Sequence, residues 1–402
     1  MGELPFSPFD ADNHYYEHED AFTRHVDRRM QKRAVEWVER NGRRRILVAG
    51  KLDKFIPNPT FDPVTKPGVL EDYFRGVNPE GKSMAELFMG NIEPIRPSYR
   101  DRDARLAVLD EQGLEAALLF PTLGCGIEQP LSHDPEATHA ALHGFNQWLH
   151  EDWGFAYKER LFGVPMLSLA DTGRAVEQLE WVLERGARVV YLRPAPVPKG
   201  GGRTTSPGDP EHDPFWARIA EAGVTVAFHT GDTGYYTTSK WESPRQMEGF
   251  RGGFLLGMMT QQGRYIMDTL AALIAHGVFR RFPNVRVATV ECGAFWVPWL
   301  FKNMEKAYGQ MPELLAEDPR DTFRRHVWVA PFFEDDIRGL VDLIGADHVL
   351  FGSDFPHAEG LQRPLDFLKD LEGFSEGDVR RIMRDNARFI TTPRPASEAE
   401  SA

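Results

Sequence analysis

Short, continuous apolar runs recur along the chain, separated by stretches whose apolar positions fall three and four residues apart. The runs are "PFDAD" ahead of His14, "AALLFP" (116–121), "LFGVPMLSL" (161–169) and "ARVVYLR" (187–193). They continue with "VTVAFH" (224–229), "VRVATVE" (285–291), "HVWVAP" (326–331) and "HVLFGSD" (348–354). Most are apolar throughout instead of alternating, the pattern of parallel strands covered on both faces. Between them, "DRDARLAVLDEQG" (101–113), "RAVEQLEWVLERG" (174–186), "DPFWARIAEAG" (213–223) and "EDDIRGLVDLIG" (334–345) have the periodicity of amphipathic helices. "FRRFPN" closes another helix that begins near Met267. Several of these stretches end in glycine just before the next run, a helix-stop signal. Eight strands alternating with helices predict an α/β fold, a (β/α)8 TIM barrel. A doubly wound sheet would want a glycine-rich turn after its first strand, and "DADNH" is not one.

Two regions fall outside the repeat. Residues of about 41–100 separate the first strand from its partner, too long for an ordinary connection. They read as an insertion with a small hairpin at "RRRILVAGKLDKF" followed by a Pro/Gly-rich loop. Residues of about 232–264, rich in aromatics, Met and Gly, follow the fifth strand and so belong to the catalytic face of a barrel. The expected organisation is one domain over residues 1–392 and a disordered tail over 393–402.

Composition narrows the partners. A net charge of -13 is unsuited to nucleic acid or anionic membranes, both of which need a basic footprint. No apolar run is long enough to span a bilayer, and "MGELPFSPFD" lacks the basic and apolar segments of a secretory signal. Cys125 and Cys292 make no disulfide framework, so a reducing cytoplasm is expected. The expected partner is a small-molecule substrate, and the insertion together with exposed aromatics points to a homodimer.

The candidate chemistry begins by removing a decoy. "GVNPEGKS" (76–83) matches the P-loop pattern, but the charged "LEDYFR" ahead of it is no buried strand. "HYYEH" (14–18) fits the inverted zinc-peptidase signature, which needs a helix, whereas Asp12 and His14 need a strand to share a face. The strand reading prevails because it makes "FDADNH" the first rung of the eightfold repeat, leaving His18 a bystander. At the carboxyl ends of the predicted strands stand Asp12, His14, Arg193, His229, Glu291 and Asp354. Two imidazoles and up to three carboxylates in one mouth call for a divalent cation, of a kind that accepts mixed nitrogen and oxygen donors: zinc, manganese or iron. Taken singly, Asp354 reads equally as a turn cap and Glu291 as a partner for Arg193.

"DADNH", "VTVAFHTGD", "VECGAFWVPWL" and "VLFGSDFPHAEG" resemble the amidohydrolase-related family that includes aminocarboxymuconate-semialdehyde decarboxylase and γ-resorcylate decarboxylase. The resemblance runs over almost the whole chain, with "LFGSDFPH" its most specific piece. It implies one divalent metal ion held by Asp12, His14, His229 and Asp354. Two departures stand out. The first residue of the strand-one pair is an acid where many relatives have His, and Glu291 stands in "VECG" where a catalytic His is common.

The reading these residues favour is a metal-dependent hydrolase of a bulky, aromatic or apolar small molecule. The cation lowers the pKa of a water to about 7. Asp354 then takes its proton, Glu291 orients water or substrate, and Arg193 holds a carboxylate or polarises a carbonyl. His357, close behind Asp354, reads as a supporting residue. Non-oxidative decarboxylation on the same metal is the alternative, and a barrel that binds metal or ligand without turnover is the third.

Overall fold

The computed structural model describes residues 4–235, 259 and 262–395. Most of the 232–264 segment and residues 396–402 of the expected tail lie outside the described residues. The apolar runs form parallel strands in two sheets. One has the order Phe9–Tyr15, Ala116–Pro121, Leu161–Gly163. The other runs Val327–Val329, Arg286–Val290, Thr225–His229, Val189–Leu192, Met166–Leu167.

The third run therefore serves both sheets. It is divided where Val164 N–H donates to Leu119 O at 3.0 Å and Pro165 O accepts from Tyr191 N–H at 2.8 Å. Proline at that point has no N–H to offer a ladder, which accounts for the break. The eighth run makes single bridges in place of a ladder. Val349 bridges to Val329, and Phe355 to Asn13. Phe351 O accepts from Ala11 N–H and Phe355 O from His14 N–H, both at 2.8 Å. It passes so near the first strand that a Cβ on Gly352 would lie 2.5 Å from the Asp12 Cβ.

Helices lie between the strands, several of them capped by a carboxylate. Asp101 caps Arg102–Glu111, and Asp171 caps Thr172–Leu183. Asp213–Ala222 ends at Gly223 in the left-handed conformation at φ 64°, as the glycine signal predicts. One expectation fails: no single helix runs from near Met267 to "FRRFPN". Arg264–Ala275 ends before Gly277 (φ 72°), and Val278–Arg281 starts afresh. The left-handed glycine cannot continue the first helix. Large side chains such as Trp148, Trp153, Phe215 and Trp216 are fully buried in the core.

After the first strand comes an antiparallel sheet of Val35–Arg40, Arg43–Val48 and Lys51–Leu52. Its turn is Asn41–Gly42, with φ 54° and 66°, the positive-φ pair that a two-residue hairpin requires. In the P-loop look-alike, Ser83 is the N-cap of Met84–Gly90, exchanging hydrogen bonds with Glu86. Among the described residues, no helix is long and apolar enough to cross a membrane.

Candidate metal centre

The site is assembled from the ends of the strands. Relative to Ala116–Pro121, the first strand carries an extra residue between Asp10 and Asn13. Such a bulge re-aims the side chains beside it. Asp12 and His14 emerge on one side, with His14 Nε2 3.3 Å from Asp12 Oδ1. His229 is the last residue of Thr225–His229, and its Nε2 lies 3.6 Å from the same Asp12 oxygen. Asp354 comes from the end of the eighth run. Its N–H donates to Asp12 O at 2.8 Å, and its Oδ1 is 3.3 Å from His14 Nε2. Glu291 follows Arg286–Val290, with Oε2 3.2 Å from His229 Nε2 and 3.4 Å from His14 Nε2. The strand ends thus place Asp12, His14, His229, Glu291 and Asp354 together.

The donor set fits a cation. Asp12 Oδ1, His14 Nε2, His229 Nε2 and Asp354 Oδ1 are buried and none makes a hydrogen bond. A buried polar atom without a partner costs on the order of 1–3 kcal/mol, and here four are gathered in one place. The His229 tautomer is suited as well. Its Nδ1 lies 2.9 Å from Thr230 O, an acceptor, so the proton resides there and Nε2 keeps a free lone pair. Burial, with Glu291, Glu359 and Asp12 close by, pushes the Asp354 carboxyl well above its usual range. Burial acts on Glu291 in the same direction, but His229 and His14 outweigh it and hold that carboxyl low. Three carboxylates packed this tightly repel one another until a positive charge joins them.

A layer of fixed groups surrounds these donors. Asp10, two residues before Asp12, accepts from Asp12 N–H, from Asn13 Nδ2, and from Ser353 through both N–H and hydroxyl. Glu17 accepts three backbone N–H groups, from Thr122, Leu123 and Gly124, and so fixes the loop after the second strand. Thr122 donates its hydroxyl proton to Tyr15 O at 2.7 Å and therefore accepts from His357 Nε2 at 2.9 Å. That leaves the His357 Nδ1 lone pair facing Asp354 Oδ1 at 2.6 Å. The His357 ring also lies against His14, tilted by 30° with centroids 4.0 Å apart.

Arg193 is placed differently from the other candidates. Its Nε lies 3.5 Å from Glu128 Oε2, both side chains are buried, and it donates to Gln129 Oε1 and to Thr233 O. Glu128 is held in turn by the Ser168 hydroxyl at 2.7 Å. Its partner is thus Glu128, and Glu291 faces the two histidines instead. His18 is exposed, outside the cluster. Cys125 is buried with Sγ 3.6 Å from His229 Nδ1, and Cys292 Sγ donates to Val290 O.

Asp10, Glu17, Thr122 and Glu128 were not singled out from sequence. Only Asp10 carried a usable signal there, as an acid two positions from Asp12 in a strand.

Residues 97–389 match the family described as Amidohydrolase. The chain belongs to the amidohydrolase family. Its structure is similar, with 45% identity and a TM-score of 0.91, to an amidohydrolase from Mycobacterium avium subsp. paratuberculosis K-10, covering 98% of this chain and 99% of that one. It is also similar to a dihydroxybenzoic acid decarboxylase from Polaromonas sp. JS666, solved with bound manganese and the inhibitor 2-nitroresorcinol. There the identity is 16% and the TM-score 0.59, over 98% of this chain and 99% of that one. In sequence it is 27% identical over 187 residues to 2-amino-3-carboxymuconate-6-semialdehyde decarboxylase of Dictyostelium discoideum, covering 44% of this chain and 48% of that protein. The match thus spans about half the length of that curated relative. These family neighbours share a TIM-barrel-like α/β fold.

Proposed function

We propose that the protein is a metal-dependent carboxy-lyase acting on an aromatic or unsaturated carboxylic acid without an external oxidant. The observation that carries this reading is the convergence of Asp12, His14, His229 and Asp354 at the strand ends of a fold shared with decarboxylases. The single-bridge contacts of 349–355 with both Val327–Val329 and Phe9–Tyr15 support the further reading that eight strands close into a (β/α)8 barrel over one domain.

A divalent cation at this centre supplies Lewis-acid stabilisation of charge developing on the substrate. The chain's own residues do the rest. Asp12, His14, His229 and Asp354 hold the cation. The bond between the ring or alkene carbon and the carboxylate breaks, CO2 leaves, and the electron pair stays on carbon. A proton must then replace CO2. The Asp354 carboxyl would hold it on the oxygen that the cation leaves free, and Thr122 fixes His357 in the tautomer whose Nδ1 faces Asp354 at 2.6 Å. Arg193, whose charge Glu128 partly answers, would orient the substrate.

Hydrolysis, the reading favoured by the sequence, has less support from the relatives. One observation keeps it as a second reading: Glu291, an acid, faces the two histidines where the resemblance leads one to look for an imidazole. Purified, manganese-loaded protein offered aromatic carboxylates on one side and aromatic amides and esters on the other separates the two. CO2 release with the decarboxylated arene as sole product supports the lyase. Turnover of amides or esters with no CO2 refutes it. Exposed Trp299, Met311 and Leu314, on and just beyond the helix Val297–Gln310, support the homodimer, which light scattering in solution tests directly.

A further inference from the structure

We infer that Glu291 is a fifth ligand of the cation, giving a set of three carboxylates and two imidazoles that favours manganese or iron over zinc. This rests on the metal centre proposed above, and it holds whichever reaction that centre serves.

Distances between donor atoms decide which residues can share an ion. Two donors bound at about 2.1 Å lie roughly 3.0 Å apart at a right angle and roughly 3.4 Å apart at the tetrahedral angle. His14 Nε2 is 3.3 Å from both Asp12 Oδ1 and Asp354 Oδ1, and His229 Nε2 is 3.6 Å from Asp12 Oδ1. Glu291 Oε2 falls in the same band, 3.2 Å from His229 Nε2 and 3.4 Å from His14 Nε2. His357 does not. Its Nδ1 is 2.6 Å from Asp354 Oδ1, too short for two donors on one ion. The same criterion therefore admits Glu291 and rejects His357.

The number of ions follows from His14. Two groupings of donors converge here, one through Asp12 and His229 and one through Asp354 and His357, and both include His14 and Glu291. All the short His14 contacts are made by Nε2, which has a single lone pair for a single ion. Glu291 stands with His14 in both groupings, so an ion on His14 Nε2 meets Glu291 in either.

The backbone treats Glu291 as it treats Asp354. Both residues have left-handed φ, 50° and 55°, a conformation uncommon for a side chain of this kind. Each turns a carboxylate toward His14, Glu291 reaching His229 as well and Asp354 reaching His357. An imidazole in place of Glu291 would leave two acids and a set closer to what zinc takes. A third carboxylate raises the donor count and the oxygen share, which suits six-coordinate manganese or iron better than four-coordinate zinc.

The test uses full-length protein stripped with a chelator and titrated with MnCl2 or ZnCl2, with bound metal measured by mass spectrometry and affinity by competition with a metal-binding dye. Glu291→Gln is expected to lose about tenfold or more in manganese affinity and clearly less in zinc affinity, and Glu291→His to move the preference toward zinc. An unchanged manganese-to-zinc ratio in both variants overturns the inference. His14→Ala is the control for the centre itself. Full metal content in that variant would refute the centre, whereas its loss alongside a wild-type Glu291→Gln refutes the role of Glu291 alone. If the Glu291 variants do not fold, crystals of the wild type with manganese decide. A Glu291 oxygen at about 2.0–2.4 Å from the ion supports the ligand role, and one beyond about 3 Å overturns it.

Discussion

Asp10 on the first strand clasps Ser353 on the eighth run, its Oδ2 accepting from the Ser353 hydroxyl at 2.5 Å and its Oδ1 from the Ser353 N–H at 2.9 Å. Asp12 stands two residues after Asp10 and Asp354 directly after Ser353, so the clasp sets the separation of two candidate metal donors. Asp10→Ala strands several buried donors at once. It is expected to cost about 1–3 kcal/mol in urea unfolding with chelator present, and to lower bound metal in folded protein. Wild-type metal content in a destabilised variant would show that the clasp serves the fold alone.

Gly352 tests Asp12 from behind. A methyl group there would sit 2.5 Å from the Asp12 Cβ, so Gly352→Ala must displace one strand from the other. Metal affinity is expected to fall roughly tenfold, as for other changes that disturb a ligand from outside. Gly309, in the helix Val297–Gln310, has open space around it, and Gly309→Ala is expected to stabilise by about 0.5–1 kcal/mol with metal affinity unchanged. Equal metal affinity in the two variants would remove Asp12 from the donor set.

The pair Arg193–Glu128 is buried on both sides, at 4% and 6% side-chain exposure. Removing one member leaves the other charged and unanswered. Glu128→Ala is expected to cost about 3–5 kcal/mol in chemical unfolding, and the double variant Glu128→Ala, Arg193→Met less than that. A cost below about 1 kcal/mol for Glu128→Ala would mean that water reaches Arg193 freely.

Much of this arrangement was legible in the sequence because a buried parallel strand announces itself twice, by an apolar run and by the polar residue at its carboxyl end. "TVAFH" gives both the strand and His229, and "RVATV" gives the strand and the position of Glu291. The eighth run was legible as a strand by composition, yet it makes only single bridges, and its close approach to Asp12 at Gly352 is one no sequence pattern encodes. Glu128 was invisible for another reason. It lies in the short helix Glu128–Leu131 beyond the second strand, where no periodicity ties a residue to a partner, and it meets Arg193 only once the sheet is formed.

A pH experiment isolates one carboxylate away from the donors. Burial, reinforced by Asp232, pushes Asp53 up from 3.8 to about 6, although backbone N–H groups of residues 54–56 pull the other way. The folded value lies above the unfolded one, so the fold binds this proton more tightly. That contribution is complete below about pH 4 and lost as pH rises through 6. Asp53→Asn should therefore gain stability over the wild type between pH 4 and pH 7, measured by urea unfolding. A difference between the two that stays constant with pH would place Asp53 in solvent.

Stripping the metal should lower the melting temperature as well as abolish turnover. With free manganese at a thousand times its dissociation constant, the bound ion stabilises the fold by about 4 kcal/mol. Calorimetry with chelator and after manganese is restored is expected to show a reversible shift. Its absence at saturating manganese would mean that the acids at the strand ends bind no ion.

The left-handed turns at Glu291 and Asp354 bear on how this protein would respond to directed evolution. Each holds a bulky residue where glycine or asparagine would sit more comfortably, at an expense of order 1–3 kcal/mol. A library selected for heat resistance alone would collect glycine or asparagine at these two positions and return hardier, inert proteins. Only a screen that scores turnover beside survival would keep both acids.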